Sequence, residues 1–231
     1  MKYLVFMLLS LCCISAQADT TYSGSASGSV DVMSGSKNNA KQNLDVKLVA
    51  TGDTWTNTVT LTGQHASSDG DVKANNYQAE YNLRRFYGDH LYIDSRALYK
   101  IDTVEDLYQK RVIGSGGGWR FYNDDTGLFA LGVLVNANDY TYTTKEEQFY
   151  TPSGTVDYQR KLAEKLTFAT SMEMGVPIQA YTRYEFDGST SLTYALTQSI
   201  NASIKYTHYA LRSTAGDVTQ NDFTVNLGAK F

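Results

Sequence analysis

The chain has 231 residues, with 24 acidic and 20 basic side chains and a formal net charge of -4. It has no basic patch interleaved with aromatic residues, which excludes a typical nucleic-acid-binding protein. Its 18 tyrosines, two prolines and modest apolar fraction of 42% argue against an ordinary soluble enzyme. This composition is expected when only alternate residues face lipid.

Residues 1–18 are predicted to form a secretory signal peptide that is cleaved between Ala18 and Asp19. Lys2 supplies the positive charge, an apolar stretch follows over 3–11, and Ala18 ends a small-x-small cleavage site. The apolar stretch is too short for a membrane-spanning helix, which needs about 20 residues. We therefore divide the chain into a cleaved peptide, 1–18, and one domain, 19–231.

The mature chain contains no cysteine, because Cys12 and Cys13 both lie inside the signal peptide. This excludes disulfides, thiol catalysis and cysteine-ligated metals. No other metal-ligand spacing, glycine-rich phosphate loop or second long apolar stretch occurs. The sequence thus predicts no metal, no cofactor and no transmembrane helix.

The mature chain alternates between strand-like segments and turn-like segments from end to end. Period-two alternation of apolar and polar residues predicts β-strands. The expected strands are 21–33, 41–51, 54–67, 72–86, 90–102, 107–122, 126–141, 150–162, 165–176, 179–197, 200–212 and 219–231. We therefore predict an all-β fold: a single antiparallel, up-and-down transmembrane barrel of about twelve strands.

The alternation also separates two faces of the predicted barrel. In 44–50, for example, Leu44 and Leu48 alternate with Asp45 and Lys47. The apolar set is assigned to lipid and the polar set to the lumen. The charged residues assigned to the lumen are Asp45, Lys47, Glu80, Arg84, Asp94, Arg96, Lys100, Lys110, Arg120, Asp157, Glu173, Arg183, Glu185, Asp187 and Lys205.

The last strand alternates up to Phe231. An alternating strand that ends on an aromatic residue resembles the C-termini of bacterial outer-membrane barrels. The resemblance implies that Phe231 is a membrane-assembly signal read by the barrel-assembly machinery. A periplasmic C-terminus makes the short connections, such as 52–53 and 87–89, periplasmic too. Aromatic residues near those turns predict an interfacial girdle: Trp55, Phe86, Tyr92, Trp119, Phe121, Tyr158, Phe168 and Phe231.

Four segments carry a family resemblance. The glycine-rich stretch 111–122, together with 156–162, 191–206 and 227–231, resembles the YdiY-like family of salt-induced outer-membrane proteins. The chain lacks the proline-rich loop that members of that family often carry before the last strand. The resemblance implies a barrel and a link to salt or osmotic stress, but no catalytic or binding residues.

Two function classes follow from this interpretation. The first is a non-enzymatic barrel of the bacterial outer membrane, either structural or a narrow passive pore for small polar solutes, with membrane lipid as its surroundings. The second is a lipid-acting serine hydrolase of the phospholipase or lipid A deacylase type. Its candidate residues are Ser67, His65 and Asn75, which the 54–67 and 72–86 hairpin would place together near the outer rim.

Overall fold

The structure is a computed structural model that describes residues 20–33, 39–68, 71–104, 107–178, 182–213 and 216–230. The predicted signal peptide, the cleavage site at Ala18 and Asp19, and Phe231 lie outside these residues. The strands are β1 Thr21–Met33, β2 Asn39–Gly52, β3 Trp55–Ser68, β4 Asp71–Tyr87, β5 Leu91–Asp102, β6 Leu107–Asp124, β7 Gly127–Tyr142, β8 Glu146–Ala163, β9 Leu166–Gly175, β10 Thr182–Ala195, β11 Ile200–Ser213 and β12 Gly216–Lys230.

The twelve strands form one closed antiparallel barrel in which each strand pairs with its neighbours in sequence. β1 and β12 close the barrel through four register pairs, from Ser25 with Lys230 to Gly28 with Leu227. We call the end at which β1 begins and β12 ends the terminal end, and the opposite end the distal end. This pairing closes the sheet on itself, which is the arrangement that a β-structure takes in hydrocarbon.

The predicted fold class is confirmed, and most strand bounds agree within a few residues. The largest difference is β8, which begins at Glu146 rather than 150. The sequence predicts a polar connection over 142–149, but the Tyr142 amide donates to the Lys145 carbonyl at 2.8 Å and closes a tight turn. Strand pairing therefore resumes at once, with Thr141 opposite Glu146.

The outer wall is apolar and the interior is polar, as the alternation predicts. Outward side chains such as Leu44, Leu48, Ile113, Val133 and Leu227 are exposed. No helix within the described ranges is long and apolar enough to cross a membrane.

An aromatic belt runs across four neighbouring strands at the terminal end. Phe121 stacks on Phe129 at 5.0 Å, Phe129 meets Tyr158 edge-on at 6.3 Å, and Tyr158 meets Phe168 at 6.1 Å. The belt includes three members of the predicted girdle. It fits an interfacial position, where aromatic rings are favoured.

Two members of the predicted girdle were wrong. Phe86 and Tyr92 are register partners, and both face the interior. Tyr92 is buried under the Arg84 guanidinium, whose carbon lies 4.2 Å from the ring centre. Arg120 covers Phe86 in the same way at 4.5 Å. Closeness to a turn suggested a girdle, but the two-residue period places both rings inside.

Candidate functional site

The candidate site is the interior of the barrel, which encloses a polar cavity of about 600 Å³. Its wall is built from side chains of β2 to β12, because one residue in two on each strand points inward. On β2, β3 and β12 the lining is mostly short and polar, with Thr62, Gln64, Thr224 and Asn226 as examples. Longer charged side chains line the cavity from β4, β5, β6, β9, β10 and β11.

The first cross-barrel contact joins β4 to β8 near the terminal end. Arg84 forms two hydrogen bonds with Asp94 on the adjacent strand, at 2.7 and 2.8 Å. Its Nη2 also reaches Asp157 on β8 at 3.0 Å. Ser171 donates to the other Asp157 oxygen at 2.8 Å. The Arg84 guanidinium is thus held by two carboxylates and by the face of Tyr92.

The second contact joins β5 to β9 at mid-height. Arg96 forms a bidentate pair with Glu173, with N–O distances of 2.5 and 2.8 Å. Asn136 completes the network, since its Oδ1 accepts from Arg96 Nε at 3.1 Å and its amide donates to Glu173 at 3.0 Å. The same amide contacts Ser153 at 3.2 Å. Both charged groups are therefore fixed by planar, two-point contacts.

The third contact joins β6 to β10 near the distal end. Lys110 pairs with Glu185. The Glu185 carboxylate also accepts hydrogen bonds from Tyr140 at 3.0 Å and from Tyr209 at 3.2 Å. The Lys110 ammonium lies 5.2 and 5.5 Å from the centres of those two rings. Tyrosines from β7 and β11 therefore enclose the pair.

The cross-barrel pairs, which we define as Arg84–Asp157, Arg96–Glu173 and Lys110–Glu185, follow one rule. Each pair joins a strand to the fourth strand after it. From each pair to the next, both strands advance by one and the contact lies closer to the distal end. A round twelve-stranded barrel with strands about 4.8 Å apart and tilted about 40° would separate such strands by about 21 Å. An arginine and a glutamate together cannot span that distance. The barrel is therefore flattened along this diagonal.

Glycines on β6 make room for the cross-barrel pairs. A Cβ added at Gly114 would overlap the Asn136 amide, and one at Gly118 would overlap the Tyr92 ring. At Gly116 it would collide with the backbone of β7 itself, with Leu134 Cα at 2.7 Å. The Asn136 and Tyr92 side chains therefore occupy the space that a side chain on β6 would otherwise fill. This explains the glycine-rich stretch structurally.

An apolar cluster narrows the distal part of the interior beside the third pair. Val112, Tyr140, Phe149 and Leu211 are buried against one another, and Tyr140 packs edge-on against Phe149 at 4.9 Å. Leu211 belongs to β11 and the others to β6, β7 and β8. Side chains of facing walls thus meet here.

The structure places the predicted lumen residues as follows. The cavity wall includes Asp45, Glu80, Arg96, Lys100, Lys110, Glu173, Glu185, Asp187 and Lys205. Arg84, Asp94 and Asp157 lie nearer the terminal end, in the first contact. Lys47 is exposed two residues from Asp45, on the same face. Arg120 lies at the terminal rim, where its guanidinium donates to the Asp89 carbonyl at 2.9 and 3.0 Å. Arg183 is exposed at an irregularity between Thr182 and Tyr184 and is not part of the cavity wall.

The hydrolase candidates do not form a catalytic arrangement. The register places His65 opposite Asn75, as expected, but a shift between Ala66 and Ser67 displaces the serine. The Asn75 amide donates instead to Thr103 Oγ1 at 2.8 Å. Within the described ranges no hydrogen bond joins His65 to Ser67 or Asn75. Nothing here resembles a nucleophile, base and orienting group.

Several residues of the site escape reasoning from charge alone. Asn136, Tyr140 and Tyr209 complete the second and third contacts, and Tyr92 completes the first. Their positions in the inward–outward alternation of each strand identify them as inward. Which strands face each other across the lumen, however, depends on the flattened section and is not visible in the pattern.

Comparison with known proteins supports the fold. A family described as "Protein of unknown function, DUF481" matches residues 26–231. The NanC porin has a similar structure, with a TM-score of 0.54 and 12% identity over 90% of this chain and 98% of that one. An outer membrane channel from Pseudomonas putida F1 gives a TM-score of 0.53 and 9% identity over 93% and 96% of the two chains. No curated protein matches the sequence.

Proposed function

The chain belongs to the DUF481 family of proteins of unknown function, and we propose that it is a bacterial outer-membrane barrel with a narrow passive channel for small polar solutes. The observation that carries the proposal is a closed wall, apolar outside, around a polar cavity of about 600 Å³. A soluble barrel would need polar groups outside and an apolar core. This chain has the reverse arrangement, which suits a water-filled lumen in lipid.

The cross-barrel pairs make the proposed channel narrow rather than open. They cross the lumen at three heights, and the apolar cluster around Tyr140 adds a fourth obstruction. A solute would pass along the walls of β2, β3 and β12, where threonine, asparagine and glutamine side chains offer hydrogen bonds. This geometry supports a route for small polar molecules and ions. It is too narrow for folded polymers.

The charges on the cavity wall favour cations. Apart from Asp217, which pairs with Arg212, the wall carries six carboxylates (Asp45, Glu80, Glu173, Glu185, Asp187 and Asp222) against four basic groups (Arg96, Lys100, Lys110 and Lys205), a difference of two. Glu80 and Asp187 form no salt bridge with any residue in the described ranges. Since charged side chains lining a pore set its ion preference, the proposed channel has a modest cation preference.

The proposed biological setting is salt or osmotic stress in the cell envelope. It rests on the resemblance of 111–122, 156–162, 191–206 and 227–231 to the YdiY-like family. The proposal includes export by the 1–18 signal peptide and assembly through Phe231. Loss of the gene should slow growth at raised osmolarity, and normal growth there would contradict this setting.

Planar-bilayer recording of the purified, refolded protein tests the channel. We expect discrete, small conductance steps and a reversal potential of the cationic sign in a KCl gradient. A silent barrel that is nevertheless inserted would refute the channel and leave a structural role. Heat-modifiable migration on a gel distinguishes that result from a failure to fold.

No catalytic activity is proposed. Incubating the folded protein with phospholipid and lipid A should release no product, and the Ser67→Ala variant should be indistinguishable from the wild type. Hydrolysis that is lost in Ser67→Ala would overturn the non-enzymatic proposal.

A further inference from the structure

The outer wall carries a groove that the channel does not use. It lies at the terminal end between β4, β5, β6 and β7 and is almost entirely apolar. Its volume is about 740 Å³. The lining residues are Tyr87, Leu91, Tyr92, Ile93, Gly117, Gly118, Trp119, Leu131, Gly132 and Val133.

The groove exists because its floor lacks side chains. Gly117 points outward, and a Cβ there would already meet the Tyr92 carbonyl oxygen at 3.0 Å. Leu91 and Ile93 rise on one side, and Leu131 and Val133 on the other, all of them exposed. The result is a trough of aliphatic walls in the surface that we assign to hydrocarbon.

Trp119 forms the wall at the terminal end of the groove. Trp119 stacks on His90, with ring centres 5.0 Å apart and planes 11° apart. The His90 ring is itself held by the Arg120 carbonyl oxygen, 2.9 Å from Nδ1. The stack places the indole at the level of the turn, where tryptophan is typical of the interface between hydrocarbon and headgroups.

An outward-facing arginine stands beside the groove without a carboxylate. Arg85 is the register partner of Ile93 and lies on the same face. Its guanidinium carbon is 5.8 Å from the Tyr87 ring centre, and within the described ranges it forms no salt bridge. At the distal end, by contrast, outward arginines are neutralised: Arg111 pairs with Asp139, and Arg212 pairs with Asp217.

We propose that this surface is a binding site for one anionic phospholipid, with its phosphate on Arg85 and an acyl chain in the groove above Gly117. A guanidinium beside hydrocarbon needs a counter-charge, and lipid phosphate is the anion available there. Arg85 lies three residues from Gly88, at about headgroup depth. The inference rests on the proposed outer-membrane location, in which the terminal end faces the periplasmic leaflet of phospholipid. It does not require the lumen to conduct.

Fluorescence quenching by brominated lipid tests the site, because Trp119 lines the groove. The chain has two tryptophans, so a Trp55→Phe background leaves Trp119 as the sole reporter. The folded barrel is placed in zwitterionic phosphatidylcholine bilayers with a rising fraction of acyl-brominated phosphatidylglycerol. We expect quenching that corresponds to about fivefold enrichment of the anionic lipid at Trp119. This is about the factor by which one arginine strengthens the electrostatic attraction to anionic lipid.

Two variants in that background separate the site from general attraction. Arg85→Gln should reduce the enrichment to the bulk lipid fraction, and Arg111→Gln, at the other end of the outer wall, should leave it unchanged. Random mixing in the parent, or equal loss in both variants, would overturn the proposal. Fully brominated phosphatidylcholine must quench Trp119 strongly in every protein, and absence of that quenching would instead refute insertion of the barrel.

Discussion

Replacing Arg96 and Glu173 with glutamine, singly and together, measures how strongly the second cross-barrel pair holds opposite walls of the barrel. The pair is bidentate, and its side chains are 17% and 20% exposed. Two unit charges about 4 Å apart attract by about 4 kcal/mol at an effective dielectric constant of 20. Water in the cavity and the cost of desolvation remove part of that attraction. We therefore expect a coupling free energy of about 2 kcal/mol.

The same barrel supplies a matched control in Arg111 and Asp139. This pair sits on the outer wall, with side chains 52% and 31% exposed and a single contact of 3.1 Å. Exposed pairs couple by about 0–1 kcal/mol. The corresponding cycle with Arg111→Gln and Asp139→Asn should therefore give clearly less than the Arg96 and Glu173 cycle.

Urea unfolding of the barrel in lipid vesicles, followed by tryptophan fluorescence, provides both coupling energies. The cycle isolates the pair only if each single variant keeps the barrel folded, which heat-modifiable migration checks. Equal coupling energies for the inner and outer pairs would refute the argument that the lumen contacts are fixed and partly desolvated.

Three further predictions concern the wall and its assembly. Leu48→Arg should destabilise the barrel by about 2–4 kcal/mol if it faces the middle of the bilayer, whereas Lys47→Ala should cost much less, and the reverse order in urea unfolding would mean that the faces are exchanged. Gly116→Ala should cost about 1–3 kcal/mol because its Cβ meets the backbone of β7, while Gly154→Ala, with nothing within 4 Å, should be nearly neutral; equal stabilities would argue against the close packing behind the cross-barrel pairs. Deleting Phe231 should lower the amount of assembled barrel in membranes far more than Lys230→Gln does, and equal yields would reject its role as an assembly signal.

The fold could be predicted because its main signal is local. Period-two alternation and short turns are properties of neighbouring residues, and twelve such segments leave few alternatives to a closed sheet. Even so, β8 begins earlier than the expected connection over 142–149 allows, since strand pairing on both sides of the Tyr142 turn outweighs the polar composition of that segment.

The site was predictable only as a set of inward charges. The alternation along β5 correctly places Arg96 inward and Ala97 outward, but it carries no information on which strand lies across the lumen. The contact between Arg96 and Glu173 spans 77 positions in sequence and arises from flattening of the barrel. For Phe86 and Tyr92, in contrast, the alternation gave the correct face and the girdle prediction was wrong. Their aromatic character suggested the interface, but the period placed them inside, under Arg84 and Arg120.

The most direct test of the account is the single-channel conductance of a barrel without the second cross-barrel pair. Arg96→Ala combined with Glu173→Ala removes both side chains from mid-lumen and leaves no unpaired charge from that pair. If the pair constricts a water-filled passage, the unitary conductance should rise above that of the wild type under the same salt. An unchanged conductance, or silence in both folded and inserted proteins, would contradict a narrow channel limited by this contact.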